Sequence, residues 1–255
     1  MAVNILECFN HDLPVYEHVD RTEVQAGPSS ETTKKQLPPR LLIAKDVYMY
    51  LALAEAFLKS KAATTNQTLL TNYCPGYESC GLETEQDVVH LSTLYLIHPV
   101  ILAINAKYPQ ILTQLSECKL DALRVDLNIK TKTQGKNEAV MMVEYKRCGY
   151  IQEKQFEEAM CSADEAKEMD ELLKSQGKQF SLKAGSNALW FTKQAMAYHQ
   201  RTHCKYVALC DYEHLILLKF DNLLESAKVT IVPRKNLRKA LLGFLLEACT
   251  DAKLV

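Results

Sequence analysis

Apolar residues recur at helical spacing over residues 41–62, where Leu42, Val47, Tyr50, Leu51, Leu53, Ala54, Phe57 and Leu58 predict a helix. Residues 64–81 lose the pattern and carry Pro75-Gly76, a turn signal, so a loop is expected. A second helical pattern runs from about residue 83 to 106 through Val88, Leu91, Leu94, Ile97, Val100, Ile101 and Ile104. Pro99 falls inside it and is expected to bend the helix or end its first part. The period then shortens. Residues 111–115 and 123–129 read as strands, and 131–137 (TKTQGKN) as a hairpin turn around a glycine. Residues 139–145 (AVMMVEY) form a short, nearly continuous apolar run, as expected of a central strand covered on both faces.

Helical character returns over 152–175, with the charged part 162–174 facing solvent. A loop at 176–186 and a helix at 187–203 follow. Strands at 205–210 and 215–220 are joined by a tight polar connection, 228–232 is a further strand, and 237–252 is a closing amphipathic helix. This order predicts a mixed α/β (α+β) domain with a single mixed central sheet flanked by helices. Residues 41–255 form that domain. Residues 1–40 are an N-terminal extension, partly flexible through QAGPSSETTKKQLPPR, with enough apolar residues between 4 and 16 to dock onto the body.

Composition narrows the classes. The 255 residues are 47% hydrophobic and 24% charged, as in ordinary globular proteins. Thirty basic residues balance 31 acidic ones, for a net charge of -1, which argues against coating nucleic acid by bulk positive charge. A nuclease binding through a local basic patch remains compatible. The nine cysteines are odd in number and scattered, without a Cys-x-x-Cys pair, so free thiols are expected rather than a zinc site or disulfide framework. No signal peptide is recognisable, and no apolar run approaches the roughly 20 residues of a membrane span. The expectation is a cytoplasmic or nuclear chain without a membrane partner, in which the Asn66-Gln67-Thr68 sequon stays unmodified.

The chemistry concentrates in RVDLNIKTKTQGKNEAVMMVEYKR, residues 124–147. Glu144 and Lys146 are two apart at the end of the apolar strand and share one face, while Val143 and Tyr145 face the other way. Pairing through the turn near Gly135 brings Asp126 beside Glu144. Two carboxylates and an ammonium then meet at the end of a buried sheet. Metal-dependent phosphodiester cleavage uses such a set: Asp126 and Glu144 as oxygen ligands for Mg²⁺ or Mn²⁺, and Lys146 to orient the attacking water. The Tyr145 carbonyl is a further candidate ligand. Replacing Lys146 by Ala is expected to abolish cleavage with little loss of stability. Arg124 and Arg147 flank the set and suit contacts with phosphates. Lys130, Lys132 and Lys136 suit a solvated hairpin tip.

Asp126 followed by Glu144-x-Lys146 resembles the PD-(D/E)XK nuclease superfamily. Gln194-Ala-Met-Ala-Tyr198 has the Gln-x-x-x-Tyr spacing of its exonuclease-like branches. VEYKRCGYI, QAMAY, CDYEHLILLKF and RKALLGFLLEA are similar to uncharacterised fungal members, and the similarity runs from about residue 83 to the end. The resemblance implies a restriction-endonuclease-like core, a Mg²⁺ or Mn²⁺ cofactor and DNA as substrate. It implies Asp126, Glu144, Lys146 and Gln194 as catalytic residues, with Arg124, Arg147 and Tyr198 on the substrate side. An upstream acidic residue should complete the metal site. Glu85 and Glu117 compete for that place, with Glu117 preferred for its position near a strand end. The chain departs from the pattern at Val125, where the superfamily has proline.

Plainer roles exist for each feature. Glu-x-Lys on a strand is ordinarily a solvated ion pair, Tyr198 a core aromatic and Gln194 a surface amide. His199 and His203, with Cys204, form a helix-end pair lacking a third metal ligand. Cys148 follows Lys146 and Arg147, whose charge would favour its thiolate. Two further functional classes therefore stand beside the nuclease: a non-catalytic binding module of the same fold, and a small-molecule enzyme using the same pocket.

Overall fold

A computed structural model describes residues 3–17, 25–27, 30–74, 81–120, 123–133, 136–221 and 226–254. The N-terminal segment contributes α1 (Ile5–Cys8) and α2 (Glu31–Lys35). Strand β1 (Leu41–Ala44) leads to α3 (Tyr48–Leu58), α4 (Lys61–Thr64), α5 (Gln67–Thr71) and α6 (Glu85–Ser92). A π-helical stretch, Thr93–Ile97, joins α6 to α7 (His98–Asn105). Strands β2 (Ile111–Leu120), β3 (Leu123–Thr133) and β4 (Lys136–Tyr145) precede α8 (Glu153–Glu157), β5 (Met160–Cys161), α9 (Ala166–Ser175) and α10 (Asn187–Thr202). Strands β6 (Tyr206–Cys210), β7 (Leu215–Asp221) and β8 (Ser226–Val232) and helix α11 (Leu237–Asp251) complete the chain.

The eight strands form one mixed sheet in the order β2-β3-β4-β6-β7-β8-β1-β5. β3 is antiparallel to both β2 and β4, whereas β4 and β6 are parallel. The α8, α9 and α10 segment supplies the crossover between those parallel strands. Met141, Val143 and Tyr145 pack on one face of β4, with α11, α3 and the α6–α7 helix. Met142 packs on the other face with Ala195, Tyr198 and Phe156 from α10 and α8. The mixed α/β architecture with one helix-flanked sheet is as the sequence predicts.

Several boundaries differ from the sequence pattern. Residues 41–62 are not one helix. Leu41–Ala44 form a strand, parallel to β8 on one side and β5 on the other. A four-residue apolar run is too short for its period to separate strand from helix, so the pairing partners decide. The 64–81 stretch contains α5, capped by Asn66 accepting from Leu69 N–H. Residues 152–175 divide into α8, β5 and α9, because Met160–Cys161 add to the edge of β1. The hairpin expected at 131–137 is tighter, with strands reaching Thr133 and restarting at Lys136. The π stretch makes Glu85–Asn105 a continuous 21-residue helix, long and apolar enough to cross a membrane, although more than half of its most apolar window is buried within the protein.

Pro99 does not break that helix. Pro99 lies in the first turn of α7, just after the π register has sent His98 N–H back to Thr93 O, so its missing N–H interrupts no regular α-helical ladder. The buried Arg238 Nε donates to Tyr95 O at 2.6 Å, and its Nη1 donates to Cys8 O at 2.8 Å and His11 O at 2.7 Å. One guanidinium thus joins α11, the π stretch and the N-terminal segment. That segment also buries Ile5, Phe9, Leu13 and Tyr16 in the main core. Further along it, Gln25 Nε2 donates to Gly185 O, and Lys34 O accepts from Lys193 on α10.

Candidate active site

The site is built where β3 and β4 separate. Leu127 pairs with Val143 in the antiparallel register, so the next step places Asp126 level with Glu144. There the Asp126 carboxylate replaces the backbone acceptor: its Oδ2 accepts the Tyr145 N–H at 2.8 Å. On the other side β4 stays in register with β6, pairing Glu144 with Leu209 and Tyr145 with Cys210, and Lys146 N–H donates to Cys210 O. Alternation turns Tyr145 into the α11-side core and leaves Glu144 and Lys146 beneath α10.

Helix α10 presents the partners. Ser186 caps its N-terminus, its side chain accepting from Leu189 N–H, and the helix stops at His203, a residue in left-handed conformation with φ 57°. Gln194 and Tyr198, one turn apart, face β4. Glu144 Oε1 accepts from Lys146 Nζ at 2.5 Å and from Gln194 Nε2 at 2.6 Å. Glu144 Oε2 accepts from the Tyr198 hydroxyl at 2.6 Å. Gln194 Nε2 also lies 2.7 Å from the Tyr198 oxygen. All four side chains are buried. The Lys146 ammonium sits 5.3 Å over the Phe191 ring, an aromatic contact that spacing alone did not mark. Glu144-x-Lys146 is thus a buried ion pair and not a solvated one.

Charge is unbalanced there. Burial, then repulsion from Glu144, pushes the Asp126 carboxyl up to about 7, against the opposing Tyr145 N–H and Lys146. Burial alone would lower the Lys146 ammonium, but Glu144 first and then Glu85 and Asp126 hold it above its ordinary value. Burial and the Glu144 charge keep the Tyr198 hydroxyl far above the usual phenol range, so it remains a donor. Three carboxylates thus act on one ammonium.

Of the two upstream candidates, Glu85 bears electrostatically on both Asp126 and Lys146. It is exposed in the first turn of α6, behind the Thr84–Asp87 capping box. Glu117 lies in β2 at the register shift between Leu115 and Cys118, opposite Asp126, and its side chain lies outside the described residues, as does that of Arg124. Arg147 does not stand free: its Nε donates to Glu83 O at 2.5 Å, fastening the end of β4 to the approach of α6. Lys130 is half-buried on β3, and the Lys132 and Lys136 side chains lie outside the described residues.

Other candidates take structural roles. His199 stacks on Phe220 at 4.9 Å and contacts Cys204 O, while His203 terminates α10. The Cys148 thiol is pushed up to about 12 by burial and by Asp211 and Glu213, which overturns the expectation that Lys146 and Arg147 activate it. Spacing also did not mark Asp211. This fully buried carboxylate accepts from Gly149 and Ile151 N–H and from Glu213 and His214 N–H, holding the loop after Lys146. A charged residue ending the apolar strand β6 was its available signal.

The donor chemistry suits a hard divalent cation in part. Asp126 and Glu144 are oxygen ligands, and the crowding that raises Asp126 is relieved by added positive charge. Glu144, however, already accepts from three donors, and among the described residues no three His, Cys, Asp or Glu side chains form a metal-holding group. Comparison with protein-family models, curated proteins and solved structures finds no match to this chain.

Proposed function

We propose that the chain is a metal-dependent phosphodiesterase that hydrolyses nucleic acid, with DNA as its substrate. The observation that carries this reading is the Asp126–Glu144 carboxylate pair, crowded enough to raise Asp126 to about 7, with a buried Lys146 beside it. A bound Mg²⁺ or Mn²⁺ would lower the pKa of a water and offset charge gathering on the phosphoryl oxygens. Asp126 and Glu144 would hold the cation, with Glu85 adding negative charge from the exposed side. Lys146, kept protonated by its carboxylate neighbours, would orient the water and meet negative charge as it develops. Gln194 and Tyr198 fix the rotamer of Glu144, so the carboxylate needs little reorganisation.

The test is cleavage of single- and double-stranded DNA and RNA by purified protein with Mg²⁺ or Mn²⁺. Loss of cleavage in Asp126→Asn, with the fold intact by circular dichroism, supports the reading. Intact substrates under every condition overturn it. Lys146→Ala is a poorer probe than the sequence suggests, because it strands the buried Glu144 charge, at a cost of about 3–5 kcal/mol.

One observation favours a second reading, a binding module whose polar cluster is structural: both Glu144 oxygens are satisfied internally. Thermal unfolding with Mn²⁺ separates the two. A rise in Tm that is absent in Asp126→Asn supports the metal site, and an unchanged Tm supports the module.

A further inference from the structure

Helix α3 is apolar at almost every position of YMYLALAEAFL, with Glu55 as its one charged residue. A helix apolar all round is ordinarily buried all round, yet α3 is covered on one side only. Tyr50, Ala54 and Phe57 pack into the main core, with Tyr50 edge-on to Phe244 of α11 at 5.3 Å. The opposite side carries Tyr48, Met49 and Leu53, exposed by 72%, 58% and 41%, together with exposed Ala52 and Ala56. Met49, Ala52, Leu53 and Ala56 stand at i, i+3, i+4 and i+7, so they form one stripe along the helix. The two ends of the stripe are oppositely charged. Exposed Asp46 stands at the N-terminal end, its Oδ1 accepting Tyr48 N–H at 2.9 Å. At the C-terminal end Glu55 is shared between Lys59 at 3.5 Å and Lys239 at 3.4 Å, which leaves these three with one positive charge in excess.

We propose that this stripe is a homodimer interface, in which α3 packs antiparallel against α3 of a second copy. A two-fold axis between Ala52 and Leu53 sets the register. Met49 of each copy then lies over Ala56 of the other, Leu53 over Ala52, and Asp46 opposite Lys59. Each large side chain meets a small one, so the two helices can approach closely. Each charged end meets its opposite, and the helix dipoles run in opposing directions. A parallel pairing would instead bring like ends together. A two-fold interface uses the same patch on both subunits, so a single stripe serves both copies. The stripe lies on the side of the sheet that holds α11, and the Glu144 cluster beneath α10 on the other side stays uncovered in the dimer. The proposal stands independently of any metal at Asp126 and Glu144.

Sedimentation equilibrium of the full chain over a range of concentrations tests the proposal. One pair of short helices is a small interface, so a reversible monomer–dimer equilibrium with a Kd on the order of 10 μM is expected. Leu53→Glu places charge at the centre of the stripe and should raise that Kd roughly a hundredfold. Lys59→Glu faces Asp46 with a like charge and should raise it roughly tenfold, and Asp46→Lys combined with Lys59→Glu should restore it. Circular dichroism confirms that each variant is folded, and the wild-type measurement needs no variant. A monomer at every concentration up to roughly 1 mM overturns the proposal, as does a dimer indifferent to Leu53→Glu. No recovery in the double variant overturns the antiparallel register. A chain that stays monomeric and binds phosphatidylcholine vesicles, with binding lost in Leu53→Glu, would assign the stripe to a lipid surface and likewise overturn the dimer.

Discussion

The Tyr198 hydroxyl donates to Glu144 Oε2 at 2.6 Å, one turn of α10 beyond the Gln194 amide that holds Oε1. A single helical turn therefore clamps both oxygens of a carboxylate that β4 delivers to a buried position. Because Tyr198 is held far above the usual phenol range, the clamp does not open at ordinary alkaline pH.

Tyr198→Phe keeps the ring and removes one donor to a buried carboxylate. The expected cost is about 2 kcal/mol, in the range for hydrogen bonds to charged groups. Urea unfolding measures it. A change near zero would mean that Glu144 Oε2 finds a replacement donor.

Asp126 gives stability a specific pH dependence. Its folded value of about 7 lies above the ordinary carboxyl value of 3.8, so between them the folded state binds more protons than the unfolded chain. Its stabilising contribution is present below the unfolded value and is lost as pH rises through the folded one. Relative to Asp126→Asn, the wild-type chain should lose stability from about pH 4 to about pH 7, then level off. The shift sets an upper limit on the order of 4 kcal/mol, reduced by the partial exposure of Asp126. Unfolding curves of both proteins at half-unit pH steps decide the matter, and parallel curves would contradict the raised value.

Gly243 allows α11 to lie against α3. A Cβ there would come within 2.0 Å of Tyr50 O and 2.6 Å of Tyr50 C, backbone atoms that cannot move aside cheaply. Gly243→Ala should destabilise the protein by about 3 kcal/mol, with a lower Tm. A near-neutral result would show that the two helices separate easily.

Arg238→Leu removes the donor to three backbone carbonyls at once and should cost about 3–5 kcal/mol. Pro99→Ala returns an N–H to the turn that follows Tyr95, whose carbonyl Arg238 occupies. The two changes should therefore couple, with Arg238→Leu costing less in the Pro99→Ala background by about 1 kcal/mol. Additive losses would separate Arg238 from the proline.

Much of the core was legible because its periods were long. The run Ala139-Val-Met-Met-Val-Glu-Tyr145 marked a strand covered on both faces, and alternation from Val143 to Lys146 already placed Glu144 and Lys146 together. Gln194 and Tyr198 at i, i+4 share a helix face, but their common partner Glu144, 50 and 54 residues away along the chain, was not legible from that spacing. Leu41–Ala44 was read as helix and Met160–Cys161 passed within one, because two to four residues carry no period. Arg147 stood as a free flanking cation in the sequence and is tied to Glu83 O in the fold.

By itself, then, the sequence determined the mixed helix-and-strand order and the common face of Glu144 and Lys146, through local backbone periodicity. Tertiary structure alone decided that Asp126 would take the Tyr145 N–H and that Glu144 would be fully clamped. It also decided that Glu85 would bear on the pair. Hydrogen bonds and electrostatic fields act between atoms that folding brings close, and separation along the chain does not encode those distances.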